Sequence, residues 1–151
     1  MRLVRVASSY MRQASSRLED AEEALEEGNY PYALRLSQEC VELSLKASLK
    51  LVGIEYPKVH DVSDILLEHR ERFPGWFSEE VDFMAEVSST LAAKRELAFY
   101  GGEGDLLAPD EVISREEAER AVRQAKEVHA LCRRLLEAYL QRSEGRNLSG
   151  E

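Results

Sequence analysis

Arg95 is the residue best suited to chemistry in this sequence, in the stretch "AAKRELAFYGGEGD" of residues 92–105. The other positions on its helical stripe are apolar or small, namely Val81, Met84, Ser88, Leu91 and Ala98. This spacing predicts that Arg95 faces inward near a helix end. A buried guanidinium is costly unless it is paired or meets an anion. Two interpretations follow: Arg95 binds an anion such as phosphate in a cleft, or it snorkels or pairs with an acid of a neighbouring helix.

The glycines of "GGEGD" offer a second route to phosphate chemistry. Phosphate-binding glycine loops follow a strand and open a helix, so that backbone amides and the helix N-terminus point at the phosphate. Here the glycines follow a helical segment, and glycine is the usual residue at a helix C-terminus. We therefore interpret them as a helix stop.

Two lysines could share a basic cleft with Arg95. Lys46 and Lys50 lie one turn apart on a predicted helix, and Glu42 stands four residues before Lys46 in the orientation that favours an ion pair. The alternatives are therefore a surface ion pair and a shared cleft. Lys94, beside Arg95, is a further candidate ligand- or partner-binding residue, although its position favours a solvated side chain.

The three histidines have different surroundings. His60 precedes Asp61 at a predicted helix start, where both are candidate capping or cleft residues. His69 lies in the polar run "EHRER" and is expected to be solvated. His129 lies on an apolar seam and is expected in the core or an interface. No Ser-His-Asp or Cys-His arrangement can be assigned from spacing.

Composition limits the classes of function. The 151 residues suit one domain, and 44% hydrophobic with 32% charged residues describe a globular protein without membrane spans. A net charge of −9 argues against an extended nucleic-acid-binding surface over the whole protein, although it allows a local basic patch. Cys40 and Cys132 have no metal-ligand spacing and are expected to be buried and reduced. We expect a cytoplasmic protein without a metal or cofactor.

Helical periodicity with few breaks predicts an all-α fold. The first 18 residues are rich in Arg and free of acids, as in a targeting peptide, but their apolar spacing continues into "LEDAEEALEE", so they are expected to begin a helix. The second helix is predicted from about Pro31 to Val52, with a broad apolar face that places it centrally. Asp61 is expected to cap a short third helix, which ends near Arg72.

A turn at "FPGWF" precedes a fourth helix that Ser78 is expected to cap and that ends near Tyr100. A loop over 101–113 and a capping box at Ser114 and Glu117 then precede the last helix. The predicted architecture is an antiparallel bundle of four long helices and one short helix over residues 1–141, followed by a polar, frayed tail over 142–151. The aromatic residues Phe73, Trp76 and Phe77 either plug one end of the bundle or form an exposed partner-binding patch.

The region 25–70 resembles the core of HEPN domains, the higher eukaryotes and prokaryotes nucleotide-binding domains. The family pattern contains a "G-x-Y-x-x-A" turn, a helix with "E-L-x-x-K-A-x-L", a "G-x-x-x-P-x-x-H" loop and a short leucine-rich helix. The matching residues here are Gly28, Tyr32 or Tyr30, Glu42, Leu43, Lys46, Ala47, Leu49, Gly53, Pro57, His60, Leu66 and Leu67. The helical layout extends the similarity to about residue 140.

The resemblance implies a helical bundle that often forms a homodimer. Many relatives are encoded beside a minimal nucleotidyltransferase in toxin–antitoxin-like pairs, and many are metal-independent ribonucleases. Their catalytic motif is Arg, four to six residues, then His, and two such motifs meet across the dimer. The Arg would hold phosphate, and the His would assist proton transfer at the 2′-hydroxyl.

This sequence departs from that motif, because Tyr100 stands where the His that follows Arg95 is expected. Tyrosine is a poor general base at neutral pH. Arg123 and His129 match the motif formally, but they lie midway along the last helix and point about 120° apart, so this match is attributed to chance. Phosphate binding could survive here while acid–base chemistry would be impaired.

Three hypotheses result. The first is a non-catalytic or weakly catalytic HEPN module that dimerises and binds a nucleotide, RNA phosphate or partner near Lys46, His60, Arg95 and Tyr100, with Arg95 and Tyr100 as the candidate catalytic residues. The second is a divergent metal-independent ribonuclease. The third is a structural protein that covers a nucleotidyltransferase partner through an exposed apolar patch.

Overall fold

The computed structural model describes residues 2–104 and 106–148 of the chain. Its helices are α1 (Arg2–Glu26), α2 (Tyr30–Leu51), α3 (Ser63–Glu68), α4 (Gly75–Ser78), α5 (Val81–Tyr100), α6 (Pro109–Val112) and α7 (Arg115–Leu148). A 3₁₀ turn at Arg70–Arg72 follows α3. The only extended pairing within the described residues is an isolated bridge between Gly102 and Leu107. The predicted all-α bundle of four long helices is confirmed.

Several predicted boundaries need correction. The predicted third helix is a six-residue α-helix followed by the 3₁₀ turn. Ser78 does not cap α5, because it is the last residue of the short helix α4, and α5 begins three residues later at Val81. The loop predicted over 101–113 contains the additional helix α6. The short helices α4 and α6 each have only four residues and lie in turns that contain proline or glycine. Helix propensity alone does not predict helices of this length there.

Helix α2 is the centre of the bundle. It packs against α1, α5 and α7, and its buried residues surround most of its circumference. A helix with such a broad apolar face is stable only when several neighbours cover it. The central position predicted from its sequence is therefore observed, and it places the polar residues of α2 where side chains from α1 and α5 can reach them.

The aromatic cluster between α3 and α5 belongs to the core. Phe73 and Phe77 are buried and stack with ring centroids 4.5 Å apart. Trp76 packs edge-on against Phe77, and the guanidinium carbon of Arg134 lies 3.9 Å from the Trp76 ring centroid. The alternative in which this cluster forms an exposed partner-binding patch is therefore wrong, because the rings fill one end of the bundle.

The end of α5 is fixed by Gly101, which has a φ of 85° and a ψ of −166°. Its amide donates to the carbonyl oxygen of Leu97 at 2.9 Å. A Cβ at this position would overlap the carbonyl oxygen of Leu107, which returns on the other side of the turn. The glycine is needed both for its backbone conformation and for this close approach, so it ends the helix immediately after Tyr100.

Both cysteines are buried free thiols. Burial raises the pKa of Cys40 and of Cys132 to about 12, so each thiol is protonated and packs as a small apolar group.

In the part of the chain that the structure describes, no helix is both long and apolar enough to cross a membrane. Helix α7 extends into the segment 142–151 that was predicted as a frayed tail, and residues 149–151 lie outside the described residues.

Candidate functional site

Arg95 lies half-buried between α5 and α2. Its Nη1 donates to Oε1 of Gln38 at 2.7 Å and to Oε2 of Glu39 at 3.2 Å. One of the two sequence interpretations, an ion pair with an acid of a neighbouring helix, is therefore present. The pair fixes the orientation of the planar guanidinium and leaves its other donors available.

Glu39 is shared between two arginines. Its Oε1 accepts from Nε of Arg17 on α1 at 2.9 Å, while its Oε2 faces Arg95. These side chains are between 23% and 34% exposed, so water screens the attraction and each pair stabilises the fold by less than about 1 kcal/mol. Their main effect is to position two guanidinium groups beside one carboxylate.

Glu42, one turn further along α2, is the centre of a second set of contacts. Its Oε2 accepts from Nζ of Lys46 at 2.8 Å, and its Oε1 lies 3.0 Å from Nε2 of Gln38 and 2.7 Å from Nδ1 of His60. Burial opposes ionisation, but the hydrogen bonds from Lys46, Gln38 and His60 outweigh it and hold the pKa of Glu42 below its usual 4.5. The network therefore contains an ionised carboxylate that orients His60.

Replacing Glu42 with glutamine is expected to lower the free energy of unfolding by about 1–3 kcal/mol at pH 7, because charge-assisted hydrogen bonds are lost. A carboxylate whose pKa is lower in the folded than in the unfolded state stabilises the fold above the unfolded pKa near 4.5, and this stabilisation disappears as the pH falls through the folded value. Urea unfolding of both proteins between pH 3 and pH 7 measures the effect, and the difference between them should shrink at acidic pH.

The control for this change is Glu119→Gln, which removes a carboxylate that accepts from Arg115 within the exposed start of α7. Exposed pairs of this kind contribute little to stability. A Glu42→Gln protein whose loss of stability does not depend on pH, or is no larger than that of Glu119→Gln, would contradict the role assigned to the Glu42 carboxylate.

Two cavities open beside these networks and share His60 and Arg95. The polar cavity has a volume of about 250 Å³ and is lined by Arg17, Glu39, Glu42, Leu43, His60 and Arg95. The aromatic cavity has a volume of about 440 Å³ and is lined by His60, Ala92, Arg95, Glu96, Phe99 and Tyr100. A guanidinium, an imidazole and an exposed aromatic wall thus face one space.

The structure joins some predicted site residues and separates others. His60, Arg95 and Tyr100 line the aromatic cavity, and Lys46 is connected to His60 through Glu42. Lys94 instead pairs with Glu117 of α7 at 3.1 Å and lies in neither cavity.

The remaining candidates, Lys50 and Asp61, have local contacts. The Nζ of Lys50 lies 5.2 Å from the ring centroid of Tyr56. Oδ1 of Asp61 accepts from the Ser63 amide at 2.9 Å and from the Ser88 hydroxyl at 3.1 Å. Asp61 therefore stabilises the start of α3, immediately after His60, and fixes the loop that carries this histidine.

Arg123 and His129 form no common site. Arg123 is exposed on α7, whereas His129 is buried, with its Nε2 2.9 Å from the Ser15 hydroxyl of α1. Burial, together with the charge of Arg133, lowers the pKa of His129. His129 is therefore a core histidine, as its position on the apolar seam indicates.

Sequence reasoning missed the roles of Arg17, Gln38 and Glu39. A usable signal existed for Gln38, because it shares an apolar helical stripe with Leu34, Val41 and Leu45, and a polar residue at such a position needs buried partners. Gln38 is 2% exposed and bridges Arg95 to Glu42. Among residues 2–104 and 106–148, no three His, Cys, Asp or Glu side chains are grouped to hold a metal ion.

Comparison with known families agrees with the all-α fold. The model of the HEPN domain matches residues 7–135. The chain belongs to the HEPN family. Among solved structures, this HEPN domain is similar to ST0689, described as an archaeal HEPN homologue, with 23% identity, a TM-score of 0.63 and coverage of 86% of this chain and 97% of the other.

A second similar structure is TT1696 from Thermus thermophilus. It shares 21% identity with this HEPN domain at a TM-score of 0.64, and the alignment covers 85% of this chain and 96% of that one. At these identities the likeness concerns the fold. The comparison with curated proteins gives no match.

Proposed function

We propose that this HEPN domain binds a phosphate group of a nucleotide or of RNA in the aromatic cavity. The observation that carries the proposal is the meeting of Arg95, His60 and Tyr100 in one open space. Of the five guanidinium donors of Arg95, only those on Nη1 are hydrogen-bonded among the described residues. The donors on Nε and Nη2 match the oxygens of a phosphate.

The charges around the two cavities set the expected strength of binding. Arg17, Lys46 and Arg95 balance Glu39, Glu42 and Glu96, one for one, before any protonation of His60. Phosphate binding then depends on the local geometry of the guanidinium rather than on a strongly positive field. Affinity should therefore be modest and should rise at low ionic strength.

Calorimetric titration at low ionic strength tests this function. Adenosine monophosphate, uridine monophosphate and a short RNA should each give saturable heat, with the RNA binding at least as tightly as the mononucleotides. The absence of saturable heat with all three ligands would contradict nucleotide or RNA binding and would leave a protein partner as the function of the site.

Partners form a second part of the proposal. The family resemblance supports a homodimer in which two cavities approach each other, and a nucleotidyltransferase partner in a toxin–antitoxin-like pair. The reduced thiols Cys40 and Cys132 suit a cytoplasmic location. Light scattering tests the dimer, and the gene beside this one tests the pairing.

A second candidate function is metal-independent RNA cleavage, and the position of His60 favours it. The Glu42 carboxylate holds Nδ1 of His60, which leaves Nε2 for a ligand. Nε2 could take the proton of a 2′-hydroxyl while the 2′-oxygen attacks the phosphorus atom. The bond between phosphorus and the 5′-oxygen then breaks, the 5′-oxygen takes a proton from water, and a 2′,3′-cyclic phosphate forms. Arg95 would stabilise the charge on the phosphate. His60 would thus supply an imidazole in place of the motif histidine, whose position the resemblance assigns to Tyr100.

If cleavage occurs, His60→Gln is expected to lower its rate about 100-fold or more, because a general base contributes about 10²–10⁴ in rate. Tyr100→Phe should leave the rate nearly unchanged. The measurement is gel analysis of labelled RNA incubated with concentrated protein and a chelator. RNA that stays intact with the unmodified protein, or cleavage that persists in His60→Gln, would remove this candidate.

A further inference from the structure

We propose that Arg35 forms a second phosphate subsite, and that the ligand of this surface is therefore a single-stranded RNA segment with at least two phosphates. This inference rests on the proposed function of the aromatic cavity and extends it along α2. The observations that carry it are the register of Arg35 on α2, the lack of an acidic partner for its guanidinium among the described residues, and the exposed rings around it.

Arg35 stands one helical turn before the residues that hold Arg95. It precedes Gln38 by three positions and Glu39 by four, so all three side chains lie along one face of α2. Four residues advance a helix by about 6 Å. Phe99 likewise follows Arg95 by one turn on α5 and reaches Arg35, whose guanidinium carbon lies 4.3 Å from the Phe99 ring centroid. The two helices therefore continue the aromatic cavity towards Arg35.

The charge of Arg35 has no anionic partner within residues 2–104 and 106–148. None of the salt bridges or side-chain hydrogen bonds in this part of the chain involves Arg35, and its Nε is buried without a partner. This contrasts with Arg17 and Arg95, which both contact Glu39. A half-buried guanidinium without a carboxylate is poorly compensated until an anion approaches it.

Three exposed aromatic rings accompany this guanidinium. Tyr32 is 43% exposed, Phe99 49% and Tyr100 63%. The ring centroid of Tyr32 lies 5.9 Å from the guanidinium carbon of Arg35, and those of Phe99 and Tyr100 are 4.6 Å apart. Exposed rings beside cationic groups are the arrangement with which proteins stack the bases and pair the phosphates of single strands.

The combination favours RNA over a protein partner as the occupant. Stacking on Arg35 by Tyr32 and Phe99 holds the flat guanidinium without neutralising its charge. An apolar protein surface would bury that charge without compensation, whereas a phosphate would neutralise it. Arg35 lies one turn of α2 before Gln38 and Glu39, which hold the Arg95 guanidinium, and this placement suits two successive phosphates of one extended strand.

The test compares a mononucleotide with a strand. Uridine monophosphate and a uridine hexanucleotide are titrated into the unmodified protein, Arg35→Ala, Arg35→Lys and the control Arg133→Ala, which removes an exposed arginine outside both cavities. Arg35→Ala should weaken hexanucleotide binding about tenfold and reduce the dependence of log affinity on log salt by about 0.7. It should leave the mononucleotide affinity unchanged. Arg35→Lys should restore part of the loss, and Arg133→Ala should change neither affinity.

Other outcomes would overturn the subsite. Equal hexanucleotide affinity in Arg35→Ala and the unmodified protein would contradict this inference alone and leave phosphate binding at Arg95 intact. An equal loss for both ligands would make Arg35 a structural residue. A dimer that dissociates in Arg35→Ala, with hexanucleotide affinity unchanged, would assign the surface to a protein interface. If neither ligand binds the unmodified protein, the subsite and the proposed function both fail.

Discussion

Replacing Arg95 with alanine is expected to weaken nucleotide and RNA binding by about 10- to 100-fold, the effect of removing charge-assisted hydrogen bonds to a phosphate. Among the described residues, Arg95 is the only arginine that lines both cavities, so a neighbouring side chain is poorly placed to substitute for it. Arg95→Lys should recover only part of the affinity, because an ammonium group lacks the planar set of donors. Calorimetric titration of the three proteins with the same short RNA measures the loss.

The matched control is Lys94→Ala. It removes the same charge from the adjacent position of α5, but Lys94 pairs with Glu117 and contacts neither cavity. RNA affinity should therefore change by less than about twofold in this variant, the change expected of a partly screened distant charge. Equal losses in Arg95→Ala and Lys94→Ala would show that overall charge, and not the cavity, determines binding. Thermal melting of each variant establishes that it is folded.

Replacing Gly101 with alanine is expected to lower the free energy of unfolding by about 3 kcal/mol. The φ of 85° and ψ of −166° lie in a region that essentially only glycine occupies, with a cost of about 1–3 kcal/mol for other residues. The added methyl group would also overlap the carbonyl oxygen of Leu107. Relief of that overlap must move the turn that follows Tyr100, so the wall of the aromatic cavity should change as well.

Gly104→Ala provides the comparison for this second change. Gly104 also has a positive φ, 62°, but among the described residues no atom beyond its chain neighbours lies within 4 Å of a Cβ at that position. Alanine at that position should cost about 1–2 kcal/mol from the left-handed backbone alone. Urea unfolding of the two variants measures how much more the Gly101 backbone conformation and the overlap with Leu107 cost together than a left-handed backbone without an overlap. Equal stabilities would contradict the close approach of Leu107 to Gly101.

The main helices could be predicted from the spacing of apolar residues, because burial of one helix face requires apolar side chains at that spacing. The broad apolar face of α2 already indicates several neighbours, and the structure supplies α1, α5 and α7. The stripe of α5 likewise predicts an inward Arg95, which the structure shows to be half-buried against Gln38 and Glu39. Apolar residues that recur with the helical period identify the buried face of each helix. This information is sufficient to predict that the helices pack as a bundle.

The partners within the site did not follow from the sequence, because they depend on the register between helices. Arg17 and Glu39 are 22 positions apart and meet only because α1 and α2 turn back on each other at Gly28. His60 reaches the cavity from the loop before α3, held by Glu42, so no spacing rule connects it to Arg95. Lys94 and Arg95 show the converse, since adjacent residues of one helix point about 100° apart and reach different partners.

The interpretation that Tyr100 replaces the motif histidine has a different significance once the chain is folded. Tyr100, which the family resemblance aligns with the motif histidine, is 63% exposed and lines the aromatic cavity. The cavity still contains an imidazole, contributed by His60 from another element. A tyrosine at position 100 therefore does not remove histidine from the neighbourhood of Arg95, and any proposal of acid–base chemistry concerns His60 and Glu42 rather than Tyr100.

A crystal structure of the protein with a bound uridine dinucleotide tests phosphate binding by this HEPN domain most directly. The expected result is a phosphate whose oxygens lie within about 3 Å of the Arg95 guanidinium nitrogens, with a base stacked on Phe99 or Tyr100. A dinucleotide bound elsewhere on the molecule, with the Arg95 donors facing only Gln38, Glu39 and water, would contradict it.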